Sequence, residues 1–132
     1  MSWPPAATGR DKHGIPAVLT DFAAAGAVST ETPLLALTEL GPRWGKVWFT
    51  VRNHDATNAA EAIVDRSESG SVNDELRQRK LVPPLGEVTF TYDDSPGREL
   101  ARMFALAASG DPAAAFPLVL VSWQLRVQLR QH

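Results

Sequence analysis

From Val119 onward every second residue is apolar: Val119, Val121, Trp123, Leu125, Val127 and Leu129. Between them run Leu120, Ser122, Gln124, Arg126, Gln128 and Arg130. A period of two is the pattern of a β-strand, whose side chains point alternately to opposite faces. One face therefore packs on a core, while the other, apolar at first and then polar and basic, meets water along only part of its length. A strand this long needs a second layer over its apolar side, which makes this the closing strand of a sandwich.

Other segments repeat the pattern. WGKVWFTVRN places Val47, Phe49 and Val51 on one face and Lys46, Trp48, Thr50 and Arg52 on the other, and it ends in the Asn- and Asp-rich turn NHDATNA. GEVTFTYDD alternates strictly, with Val88, Phe90 and Tyr92 against Glu87, Thr89 and Thr91. Strands are also expected at Ala17 to Phe22, Leu34 to Leu40 and Ala60 to Ser67. The Ala cluster from Ala23 to Ala27 is a weak helix former, interrupted by Gly26 and followed by Val28 and Thr30. NDELRQRKLVPPLG reads as a polar connection, and Pro83 and Pro84, barred from a central strand, mark where the next strand begins.

Residues 95–110, SPGRELARMFALAASG, admit two readings. Propensity favours a helix, with Ser95 as cap and Gly110 as stop. The alternation of Leu100, Phe104 and Leu106 against Glu99, Ala101, Met103 and Ala105 makes an imperfect strand, broken by Arg102. Turns at short, regular intervals favour the strand. The expected fold is thus all-β, an antiparallel β-sandwich of jelly-roll or Ig-like type with about 6 to 8 strands.

With 132 residues the chain suits one domain, residues 17–132, preceded by an arm over residues 1–16. The arm holds three prolines and two glycines, with Trp3 its only large apolar group before Ile15. It is either a loose terminus or an extended segment docking on a neighbour through Trp3. Without cysteine there is no disulfide or thiolate metal site. A net charge of −2 gives no general attraction to nucleic acid or anionic membrane, so neither is an expected partner. No apolar run approaches the roughly 20 residues of a membrane helix.

Catalytic chemistry is hard to find. His13, His54 and His132 have no metal-ligand spacing, no Gly-rich phosphate loop occurs, and no nucleophile is evident beside the pair His54 and Asp55. No catalytic residue, cofactor or metal is therefore expected. Asp93 and Asp94 form either a solvated turn or, with carbonyl help, a Ca²⁺ site.

Among the tryptophans, Trp123 belongs to the core face. Trp48 lies beside Lys46, Thr50 and Arg52, as a covered rim residue or an exposed binding aromatic, and Trp44 stands at the strand mouth. Trp3, Trp44, Trp48 and Arg52 are the interface candidates, because aromatics beside Arg serve both protein hot spots and sugar platforms.

The succession KVWFTVRN, AEAIVDRSESGS, VPPLGEVTFTYDD, GRELARMFALAASG and FPLVLVSWQLRVQL resembles the layout of small β-sandwich virion proteins of tailed bacteriophages. The resemblance spans residues 44–130 and lies in the order of strands and turns, so it carries over no functional residue. The Ala-rich fifth segment, and VPPL in place of a Pro-Gly turn, depart from the pattern. It implies a non-enzymatic virion protein, a capsid decoration or minor capsid or tail component, bound to major capsid or tail proteins and to copies of itself as a homo-oligomer on a lattice. The alternative is a carbohydrate- or surface-binding module, which would put Trp44 and Trp48 in one exposed patch.

Overall fold

Two strands form the middle of the first sheet because both edges of each are paired. In the computed structural model, which describes residues 16–20, 26–39, 44–67, 77–93 and 103–129, β4 (Trp44–Asn53) pairs antiparallel with β9 (Val119–Leu129). Phe49 stands opposite Leu125, and Val51 opposite Trp123. The other edge of β4 takes β7 (Glu87–Asp93), with Phe49 opposite Phe90. The free edge of β9 takes β1 (Pro16–Thr20) and β2 (Gly26–Val28), which lie end to end along it.

The second sheet has the order β3 (Thr32–Glu39), β8 (Met103–Gly110), β5 (Ala60–Ser67), β6 (Gln78–Val82). The pairs β5·β6, β4·β7, β3·β8 and β1/β2·β9 are the successive rungs of one long hairpin, alternately assigned to the two sheets. An antiparallel ribbon rolled up in this way is a jelly roll, which decides between the two sandwich types expected from sequence.

Between the sheets lies a core in which Val47, Phe49, Val51, Ala62, Val64, Phe90, Phe104, Leu106, Val121 and Leu125 are buried. Its centre is aromatic: the Phe49 ring lies 5.6 Å from Phe104 and 6.3 Å from Tyr92, and Tyr92 lies 5.5 Å from Phe104. Tyr92 donates its hydroxyl to Gln78 Oε1 at 2.7 Å. Burial pushes the Tyr92 phenol up to about 12. Trp123 is in the core, as its position in the alternation requires.

Three expectations change or resolve here. The strand reading of residues 95–110 holds over Met103–Gly110, while 94–102 lie outside the described residues. Phe104, Leu106 and Ala108 face the core, and pairing on both edges outweighs helix propensity. The expected polar connection before Pro83 contains a strand, β6, of which only Val82 is buried. An edge strand tolerates Gln78, Arg79 and Lys80 because charge there discourages pairing with other chains. Gly26–Val28, at the end of the Ala cluster, is also a strand.

Ion pairs close the outer face of the second sheet. Arg77 grips buried Asp65 through Nε at 2.7 Å and Nη2 at 3.1 Å, and reaches Glu31 at 3.1 Å. The hydrogen bond to Asp65 raises the Arg77 pKa above its ordinary value, so the guanidinium stays charged. Arg79 pairs with Glu61 at 2.8 Å.

Candidate functional site

Rolling the ribbon brings four connections to one end of the sandwich: residues 29–31, 54–59, 83–86 and 111–118. Backbone hydrogen bonds stitch them together. Leu85 N donates to Asp55 O at 3.0 Å, His54 N to Leu120 O at 2.8 Å, and Gly110 N to Ser29 O at 2.8 Å. The Ser29 hydroxyl donates to Phe116 O at 3.2 Å. This end is a single hydrogen-bonded unit, which is how connections between strands become rigid.

The same unit holds apolar side chains in water. Leu85 is 68% exposed, Leu118 65%, Leu120 43% and Phe116 39%. Two of these residues also adopt a backbone conformation that L-residues avoid: φ is 57° at Leu85 and 56° at Phe116, with Ala115 alongside at 61°. Leu85 follows Pro84 in a turn closed by Gly86 N donating to Pro83 O at 2.9 Å. A positive φ at that third position is where a type II turn takes Gly or Asn. In the 111–118 connection, Asp111 accepts from Ala113 N and, through its carbonyl, from Phe116 N at 3.0 Å. Each such residue costs about 1–3 kcal/mol, a strain kept only where surrounding contacts enforce it.

None of these four residues was among the sequence candidates. The available signal was Leu85 in PPLG, where a turn would ordinarily take Gly or Asn, together with the apolar start of β9.

The candidates themselves are scattered. Trp3 lies outside the described residues, and Trp44 is described in its backbone only, opposite Leu129. Trp48 is half-buried on the outer face of β4, with Lys46 Nζ 5.4 Å from its ring centroid. Arg52 shares that face and pairs with Glu87 at 3.4 Å. Asp93 ends β7, whereas Asp94, His13 and His132 fall outside the described residues. Among the described residues no three His, Asp or Glu side chains gather as a metal site.

A hydroxyl does come within reach of His54, contrary to expectation: His54 Nε2 and Ser122 Oγ are 2.7 Å apart. The sequence separation of 68 residues concealed it. The pair is not arranged for catalysis, because Ser122 is only 4% exposed. Nor does Asp55 orient the imidazole: its Oδ1 accepts from Thr57 N at 2.7 Å and Asn58 N at 2.9 Å within its own turn. The hydrogen bond instead ties the β4–β5 connection to β9.

The bonds from Asn58 N and Thr57 N hold the Asp55 carboxyl below the ordinary carboxylate range. A depressed folded-state pKa contributes stability above the unfolded value of about 3.9 and loses it as pH falls through the folded value. The amide shifts of Thr57 and Asn58 are therefore expected to move together on acidification, with a midpoint below the ordinary carboxylate range. Asp55→Ala should abolish that step in an NMR titration.

No protein-family model and no curated protein sequence matches the chain. Among solved structures it is similar to the cryo-EM structure of Broad Bean Stain Virus, with 13% identity over 85% of this chain and 90% of that one, at a TM-score of 0.42. The jelly-roll assignment itself rests on the strand pairing.

Proposed function

We propose that this chain is a non-enzymatic structural protein of a virus particle, packing against copies of itself through the loop end of its jelly roll. Within that reading, its place is that of a decoration or minor component on the capsid or tail lattice of a tailed bacteriophage, with the arm over residues 1–16 and Trp3 adding a second contact. Jelly rolls serve shells and lectins alike, so the architecture alone does not choose.

The observation that carries the reading is the strained presentation of Leu85 and Phe116 beside Leu118 and Leu120. A turn built for its own stability would place Gly or Asn at Leu85 and keep water-facing positions polar. Spending backbone strain to hold aliphatic side chains outward fits a surface that another protein covers. A sugar platform at this end would instead present an aromatic ring ringed by polar groups, whereas three of the four exposed side chains here are leucines.

Sedimentation velocity over a hundredfold concentration range tests this with Leu85→Asn combined with Leu118→Ser. The wild-type chain is expected to form a concentration-dependent larger species. The variant should associate at least thirtyfold more weakly, equivalent to about 2 kcal/mol for anchoring side chains. Its melting temperature should hold or rise, since Asn tolerates the left-handed conformation. A wild-type chain that stays monomeric at every concentration would count against self-association.

A further inference from the structure

An imidazole borders the aliphatic loop end. At the last rung of the β4–β9 pairing Asn53 stands opposite Val121, and one step further His54 N donates to Leu120 O at 2.8 Å. His54 is therefore the cross-strand neighbour of Leu120, which alternates with buried Val119 and Val121 and so points to the outer face of the first sheet. The ring leans diagonally onto the next outward residue of β9, its Nε2 lying 2.7 Å from Ser122 Oγ. Ser122 is buried, and among the described residues its hydroxyl has no other hydrogen-bond partner, so the ring is tethered beside Leu120. Both His54 and Leu120 are exposed. A surface that covers Leu120 covers this imidazole too.

The charged groups on the surrounding elements have partners of their own. Arg52, two residues earlier on β4, pairs with Glu87 of β7 at 3.4 Å. The Asp55 carboxyl accepts from Thr57 N and Asn58 N, bonds that hold it below the ordinary carboxylate range. Asp111 accepts from Ala113 N, and Glu31 is bound by Arg77 over the second sheet. On the other edge of β9, β2 places uncharged Ala27 opposite Leu120. Among the described residues no ion pair reaches His54.

We infer that His54 makes self-association through the loop end sensitive to pH: copies meet when the imidazole is neutral and separate when it is protonated. This rests on the assembly reading and adds its regulation. Histidine is the side chain whose ordinary titration falls between about pH 5 and 8. Covering a protonated ring with aliphatic groups removes its hydration without supplying a counter-charge. The bond to Ser122 keeps the ring from swinging back into water. The separate chain therefore takes up a proton that the associated chain excludes, and association falls as pH falls. For an imidazole with the ordinary pKa of about 6.5, complete exclusion of the charged form weakens association about tenfold per ring between about pH 7.5 and 5.5.

The test is sedimentation velocity of the full chain at about pH 7.5 and 5.5 and constant ionic strength, with thermal melts at each pH to establish that the chain is folded. Wild type is expected to associate about tenfold more weakly at the lower pH. His54→Gln, an uncharged side chain that can still hydrogen-bond Ser122, should associate equally at both. His54→Asn is a second uncharged replacement and should behave in the same way. The double variant His13→Gln with His132→Gln, which removes the other two imidazoles, should keep the full pH dependence. A wild-type chain that associates equally at both pH values overturns the inference and leaves the assembly reading intact. So does pH dependence that survives in both His54 variants, or association that strengthens on acidification. A chain monomeric at both pH values overturns the assembly reading and this inference with it.

Discussion

Phe49→Ala is expected to remove about 4 kcal/mol of folding stability and lower the melting temperature by roughly 10–15 °C. Phe49 has no solvent exposure and stands between Phe90 and Leu125 in the middle of the first sheet. Its ring is also the bridge to the second sheet, through Phe104 at 5.6 Å and Tyr92 at 6.3 Å. Truncation therefore loses the transfer free energy of the ring and opens a cavity that two hydrogen-bonded sheets cannot collapse. Because a domain of this size has a net stability of about 5–15 kcal/mol, one side chain accounts for a large share of it. Phe49→Leu keeps most of the volume and should cost less than half as much. Urea melts of both variants provide the check, with an unchanged m-value showing that the folded state kept its extent. Equal, small losses in the two variants would mean that the inter-sheet aromatic contact is not where the sheets are held together.

The position of Phe49 was legible in advance, and the reason is physical. Where one face of a strand is buried and the other wet, the sequence must alternate, as it does in β4, β7 and β9. Legibility failed where that condition lapses. β8 is central in its sheet and buries Ala107 and Ser109 on the face opposite Phe104 and Leu106, so alternation is blurred and helix propensity competes with it. β6 is an edge strand whose charged residues look like a loop. Trp48 and Arg52 could be placed on one face by counting, and they share it, yet Arg126 joins them only through the β4–β9 register. The loop end was the least legible part. Its four apolar residues come from two connections, 83–86 and 111–118, and the start of β9, and the left-handed Leu85 and Phe116 are held by bonds to Asp55 and Ser29, distant in sequence, as well as by their own turns.

Gly110→Ala is expected to be more damaging than a single methyl group suggests. The added carbon would overlap the carbonyl oxygen of Pro117 and lie 2.9 Å from Phe116 C and Pro117 N, so it meets backbone atoms rather than a side chain that can swing away. The backbone has little room to yield. Phe116 N is bonded to Asp111 O, Phe116 O accepts from Ser29, and Gly110 N is bonded to Ser29 O. The cost of such overpacking is about 3 kcal/mol, or roughly 10 °C in melting temperature. Gly26→Ala provides the matched comparison, because nothing lies within 4 Å of the position its methyl group would take. It should change stability by no more than about 0.5 kcal/mol. The two substitutions also separate structure from assembly. If the 111–118 connection must swing outward to admit the methyl group, Phe116 and Leu118 lose their set positions, and Gly110→Ala should weaken self-association even at temperatures where the protein is fully folded. Unimpaired association in a folded Gly110→Ala chain would show that copies meet through some other surface.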